Sequence, residues 1–422
     1  MKFAFFAVLA VLSMSDSTFL RAQEEPTSIQ TVAESSGYSQ TSTSAEVTDF
    51  IKQVADSSDL VSYHSIGKTA FGKDIWCVTV SQQSWNPGED TAGKNVALLL
   101  GNIHSGECAG KEALLQMVRE LAAGENKSWL EKNILLFVPN YSADANDQMG
   151  PENRPGQVGP ERMGRRANPQ RLDLNRDFVK LEAPETRALV GLINTATPHL
   201  FVDCHTTNGS KHRYRLTYDI PHNPAAAPEV TRWLRDSMMP KITEDLEAKG
   251  LSTFYYGNFD SEHAQWLSYG HQPRYSTEYV GLRGRLSILS EAYSYSTYQE
   301  RIEATHQFVS AILDHVTENA ATVTQLLNEA EKEMLEKAAV DPHRIQISLS
   351  AAPRPFKKTY TLKGYKDGKA HDYQCEYVGD YHSLSSTTLP WAWVIPSTEV
   401  RAVDRRLKHG IALERVLSLI HI

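Results

Sequence analysis

An α/β fold is predicted, with a mixed central sheet covered by helices on both faces, then a helical segment and a small β-rich region. Three features carry this expectation. NVALLLG (95–101) and NILLFVP (133–139) have the near-continuous apolar character of strands buried on both faces. Between them, GKEALLQMVRELAAG (110–124) sets its apolar residues at helical spacing and ends on glycine. The same alternation returns further along, as crossover-connected sheets require.

At the start, Lys2 precedes a short apolar stretch, residues 3–14, and 1–23 reads as a signal peptide. That implies a secreted or periplasmic protein. No later segment reaches the ~18 apolar residues of a membrane span. Residues 24–43 are rich in Ser, Thr, Gln and Glu and read as a flexible segment. A helix fits 44–57. Residues 60–81 read as two strands around a turn, punctuated by Gly67 and Gly72.

A helix over 184–195, with Pro184 near its start, precedes the strand HLFVDC (199–204). A further helix fits 227–249, a strand fits RLSILSEA (285–292), and 298–338 is strongly helical. After Pro342, runs such as KTYTLKGY and YQCEYVG indicate β structure over 341–416, in a region read as truncated. LSLIHI (417–422) extends no element and reads as an artefactual tail. Residues 140–178 form a long polar loop dense in Gly, Pro, Asn and Arg, and loops of that length are often functional.

The formal net charge of −8 gives no support for nucleic-acid binding, which favours a basic face. Cys77, Cys108, Cys204 and Cys375 allow three complete pairings. Cys108 and Cys204 read best as small buried side chains.

His104-Ser105-Gly106-Glu107 follows the strand 95–101 directly. A His and a Glu three positions apart at a strand end can share a cation, although the pattern alone is weak. His205, in FVDCHTTNG, also sits at the C-terminal end of a strand, the edge where sites gather in α/β sheets. Together the three supply the donor set of a catalytic zinc: three protein ligands and an open position.

These residues resemble the zinc carboxypeptidases (funnelins), in a secreted bacterial-type form, over about residues 65–295. SIGKTAFGKDIWCVTVS is similar to the family's first hairpin, NIHSGECAG to its first metal motif and FVDCHTTNG to its second. The resemblance implies one zinc per chain, held by His104, Glu107 and His205. LDLNRDF (172–178) implies that Asn175 and Arg176 hold the substrate's terminal carboxylate. RMGRRANPQ (162–170) implies that Arg165 polarises the scissile carbonyl, and ILSEAYSY (288–295) implies Glu291 as general base. Five arginines (162, 165, 166, 171 and 176) lie in this stretch, and two or three are expected to face substrate. A tyrosine is expected to close over the substrate; Tyr269, Tyr275 and Tyr279 qualify, with Tyr269 favoured by spacing.

The implied catalytic domain is 44–340, and the implied partner is a peptide with a free C-terminal carboxylate. The same scaffold would also suit a peptidoglycan stem-peptide hydrolase, or an amidase or deacylase on small molecules. A catalytically inactive binding module is the reading from another class. Two departures from the family stand out. Gly106 occupies a position where many relatives carry arginine, which weakens a secondary substrate contact. The segment 206–224 is unusual, and His212 there reads as a surface or cleft residue. PETRAL (184–189) fits a structural helix start.

Overall fold

A computed structural model describes residues 28–416; the signal peptide read at 1–23 and the tail at 417–422 lie outside the described residues. In chain order the strands are β1 (Val61–Lys68), β2 (Asp74–Val80), β3 (Asn95–Gly101), β4 (Asn133–Val138), β5 (Leu200–Thr207), β6 (Leu216–Asp219), β7 (Thr253–Tyr255), β8 (Asn258–Phe259), β9 (Gln265–Leu267), β10 (Leu286–Tyr293), β11 (Gln346–Lys366) and β12 (Lys369–Thr388). An eight-stranded sheet has the order β1-β2-β4-β3-β5-β10-β6-β7. Its centre, β4-β3-β5-β10, is parallel, and antiparallel β2 and β6 flank it.

Strand periodicity explains the two cores. Val96, Leu98 and Leu100 of β3 enter one apolar cluster, while Ala97 and Leu99 enter the other. Helices Ala109–Ala122, Met239–Ala248 and Tyr298–Glu318 bury residues in the second cluster; Pro184–Ala196 and Ser276–Leu282 bury theirs in the first. Gly110 lets the helix at 109–122 press onto β5, since a Cβ there would lie 2.5 Å from Cys204 Cβ. All four cysteines are buried and free.

Three elements differ from expectation. Residues 28–43 are ordered rather than flexible. Thr31 makes a capping box with Glu34 for the helix Val32–Ser35, and Thr41 and Ser42 are bonded to the buried Glu112. A Ser/Thr-rich composition suits disorder, but the same hydroxyls are cap and carboxylate donors. The helix expected at 227–249 is interrupted: Pro228–Trp233 and Met239–Ala248 flank a π turn at Leu234–Met238. The helical stretch at 298–338 breaks at Asn319 into Tyr298–Glu318 and Ala320–Val340.

The C-terminal β structure is one long hairpin, β11 with β12, followed by the helix Val400–Lys408. It is joined to the preceding chain: β12 pairs in parallel with β9, giving the sheet β11-β12-β9-β8. Tyr214, Trp266, Leu362, Cys375 and Tyr377 form a buried cluster beneath it.

Candidate metal and hydrolytic site

The C-terminal ends of β3, β5 and β10 bring three distant segments together. The turn after β3 carries His104 and Glu107, β5 carries His205, and β10 carries Glu291 in register beside His205. One atom from each of His104, Glu107 and His205 lies within 4.8 Å of the others, and all three side chains are buried. Glu107 Oε1 is 3.1 Å from His104 Nδ1, and its Oε2 is 2.9 Å from His205 Nδ1.

The far ring nitrogens fix the tautomers. His104 Nε2 lies 3.0 Å from Asp173 Oδ1, and His205 Nε2 lies 2.9 Å from Asp203 Oδ2. A carboxylate at Nε2 takes the ring proton and leaves the Nδ1 lone pair facing Glu107. Without a cation a protonated His205 makes its contact to Glu107 as an ion pair; a bound cation would take the place of that proton. Two imidazole nitrogens, one carboxylate oxygen and carboxylate-backed rings are the donor chemistry of a catalytic zinc, and the residues fit that ion.

The charges of the cluster act strongly on one another. Burial alone would raise the Glu107 carboxyl, but the Arg154 charge and the His104 and His205 contacts hold it well below its usual range. Burial would lower His205, yet Asp203 and Glu107 hold it well above the usual histidine value. Glu291 behaves in the opposite way. Burial pushes its carboxyl up to about 8, with Glu107 and Asp203 adding to the rise and His205 and Arg154 opposing it. Its Oε2 is buried and has no hydrogen-bond partner.

The two neighbouring arginines at 165 and 166 are placed differently. Arg165 is exposed and contributes its main chain, donating to Ala145 O (3.0 Å) and accepting from Ser105 N–H (3.1 Å). Arg166 is exposed as well, but its guanidinium reaches back to the cluster. Its Nη2 is 2.9 Å from Asp173 Oδ2 and its Nη1 is 3.6 Å from Glu107 Oε1. With the Arg165 main chain pinned on both sides, it is the next side chain that reaches the cluster.

Asn175 is buried next to His205; its Oδ1 accepts from Ser276 N–H at 2.8 Å. Arg176 is partly exposed, with its Nη1 donating to the Asn175 carbonyl (2.7 Å) and its guanidinium 4.5 Å from the centre of the Tyr275 ring. Tyr269 sits between Tyr256, Tyr275 and His222, its hydroxyl 3.0 Å from Thr277 Oγ1. Tyr279 faces away, bonded to His409 Nδ1 at 2.8 Å. His212 is neither on the surface nor in the cleft. It is buried among Tyr214, Trp266 and Tyr293, because its segment folds under the β11–β12 hairpin.

Sequence reasoning missed Asp173, Asp203 and Arg154, and named Arg166 only as one of five arginines in its stretch. Asp173 and Asp203 stood two residues before Asn175 and His205, within motifs already singled out; Arg154 carried no local signal.

Comparisons with known proteins converge on one family. The zinc carboxypeptidase family model matches residues 47–244. Carboxypeptidase 2 of Trichophyton equinum is 22% identical over 390 residues, covering 87% of this chain and 68% of its own. Carboxypeptidase SOL1 of Arabidopsis thaliana is 29% identical over 183 residues, covering 40% of this chain and 33% of its own. Among solved structures, carboxypeptidase A from Helicoverpa armigera shares the fold with a TM-score of 0.51 at 14% identity, over 66% of this chain and 74% of that one.

Proposed function

We propose a division of labour for this chain, which belongs to the zinc carboxypeptidase family and is a zinc metallocarboxypeptidase acting at peptide C-termini. His104, Glu107 and His205 would hold one zinc, which supplies Lewis acidity towards a carbonyl and lowers the pKa of water. The observation that carries the reading is the partnerless Glu291 Oε2 beside that triad. A cation held by the triad would favour the ionised form of this carboxyl, and the carboxylate, with no donor of its own, would then be placed to take the proton of an attacking water. The same carboxyl then delivers a proton to the leaving amine, so water is consumed and no net proton is gained.

Arg166 serves as the donor towards the developing oxyanion in place of Arg165, since its guanidinium lies between Asp173 and Glu107 and keeps an exposed side that a substrate can reach, unlike the buried Arg154. Arg176 binds the terminal carboxylate, for which a planar fork is suited, and Tyr275 steadies it from beneath. Asn175 holds the 276 main chain and borders His205. Tyr269 packs against Tyr275, the ring over which Arg176 lies, and is the candidate for closing over substrate. Export is supported by Lys2 and the apolar run 3–14. Among the described residues no helix is long and apolar enough to cross a membrane.

The test is product mapping by mass spectrometry on a peptide mixture with the zinc-loaded full chain. Single C-terminal residues should be released from free-acid peptides, and amidated peptides should be spared. Equal cleavage of amidated peptides would remove Arg176 from its role. Turnover restricted to muropeptides or acylated amino acids would shift the substrate class, since those also carry a free carboxylate.

A further inference from the structure

The long loop between β4 and the helix at 184–196 sends one side chain back into the metal cluster from outside. Arg154 is 9% exposed at its side chain, and its Nη1 lies 2.8 Å from Glu107 Oε1. Its Nη2 donates to the Thr206 carbonyl at 2.8 Å. Thr206 N–H in turn donates to Glu107 Oε2 at 3.1 Å. Glu107, Arg154 and Thr206 therefore close a ring of one ion pair and two hydrogen bonds, with the ion pair and one of the hydrogen bonds made to the carboxylate.

This ring links the two strand ends that carry the ligands, because Glu107 follows β3 and Thr206 follows His205 in β5. Each Glu107 oxygen is gripped from outside the His/Glu/His triangle by one donor, Arg154 on Oε1 and Thr206 N–H on Oε2. Gly106 makes room for the bridge. A Cβ at 106 would stand 2.4 Å from Arg154 Cγ, 2.9 Å from Arg154 Cδ and 2.9 Å from Gly164 O. Gln157 Nε2 closes the loop over the same turn by donating to Gly106 O at 3.0 Å. The absence of a side chain at 106 and the presence of arginine at 154 are thus two halves of one device.

We propose that Arg154 is a positioning residue for the metal site, bridging Glu107 to the main chain after His205 so that the three ligands are pre-set for one cation. The inference rests on the reading of His104, Glu107 and His205 as ligands. Two donors at a fixed angle are needed, which guanidinium supplies and an ammonium does not. Outer partners of this kind typically change metal affinity by about 10- to 100-fold.

The experiment measures the zinc Kd of the full chain by chelator competition, for wild type, Arg154→Ala, Arg154→Lys and Gly106→Ala, with circular dichroism and melting of each apo-protein alongside. Arg154→Ala should weaken zinc by about 10- to 100-fold with an unchanged apo spectrum. Arg154→Lys should fall between, keeping charge but losing the bridge. Gly106→Ala should weaken zinc as well, by displacing the Arg154 stem. Unchanged or tighter zinc in folded Arg154→Ala would overturn the proposal; tightening would mean that the guanidinium only repels the cation. If Arg154→Ala does not fold, the Lys variant decides by the same criterion. Wild type that binds no zinc would instead overturn the ligand reading itself, a distinct outcome that does not depend on any peptide being cleaved.

Discussion

Glu291 and His205 are cross-strand partners: β10 and β5 run parallel and set the two residues directly side by side at the sheet's C-terminal edge. The distance between metal ligand and proton acceptor is therefore fixed by sheet register rather than by a loop. A one-residue slip of β10 would turn Glu291 to the opposite face, and a slip of β5 would do the same to His205.

Replacing the proton acceptor and replacing a ligand should separate binding from chemistry. Glu291→Gln is expected to keep one zinc per chain and lose at least about 10²-fold in kcat. His104→Ala is expected to lose the metal. Metal analysis beside single-turnover kinetics checks both, and a fully active metal-free preparation would end the mechanism.

The carboxylates behind the histidines should tune the site. Asp173→Asn and Asp203→Asn each weaken the ring-proton acceptor at a ligand Nε2. Zinc affinity is expected to drop by about 10- to 100-fold in each variant. Competition with a coloured chelator reads this directly.

Neighbouring arginines should behave very differently. Arg166→Ala removes the guanidinium beside Glu107 and is expected to cost about 10²-fold in kcat with KM little changed. Arg165→Ala removes an exposed side chain whose recorded bonds are main-chain only, and should stay near wild type. Steady-state kinetics on one free-acid dipeptide substrate compares them, and the reverse ranking would restore the assignment to Arg165.

The tyrosines divide by contact. Tyr275→Ala removes the ring beneath Arg176 and should raise KM by about 2- to 5-fold, the equivalent of a surface cation–π contact. Tyr269→Phe should lower kcat if its hydroxyl closes over substrate, while Tyr279→Phe should do nothing to turnover, since its hydroxyl bonds His409. No effect from Phe at 269, 275 or 279 would mean that none of these hydroxyls takes part.

Away from the metal, Glu278 makes stability depend on pH. It is fully buried, accepts from the His222 and Asn223 N–H groups, and burial pushes its carboxyl up to about 7, with Asp219 adding to this and His222 opposing it. The folded chain keeps this proton to about pH 7, while the unfolded chain releases it near the ordinary value of 4.5. Over that interval the unfolded state binds fewer protons, so stability falls as pH rises. His222 contributes in the same direction: burial would lower it, but Asp219 and Glu278 hold its value raised. Glu278→Gln should flatten the decline in urea midpoint across this window, and an unchanged slope would refute the assignment.

Several features were legible in the residues themselves. The apolar runs at 95–101 and 133–139 and the helical spacing between them specify buried parallel strands with a crossover helix, because hydrophobic periodicity is a local property. His104, Glu107 and His205 could be read because strand ends in such sheets converge at one edge, and Glu291 was implied by the resemblance of its segment to the family's. Tertiary structure alone decided the rest. Whether Arg165 or Arg166 faces the cluster depends on where the Ala145 and Ser105 main chains pin the loop. That His212 is buried depends on the hairpin of 346–388 folding back over it. That Arg154 reaches Glu107 depends on a loop closing over a residue with no side chain. Contacts between residues far apart in the chain leave no periodic trace in it, so only the folded arrangement could supply them.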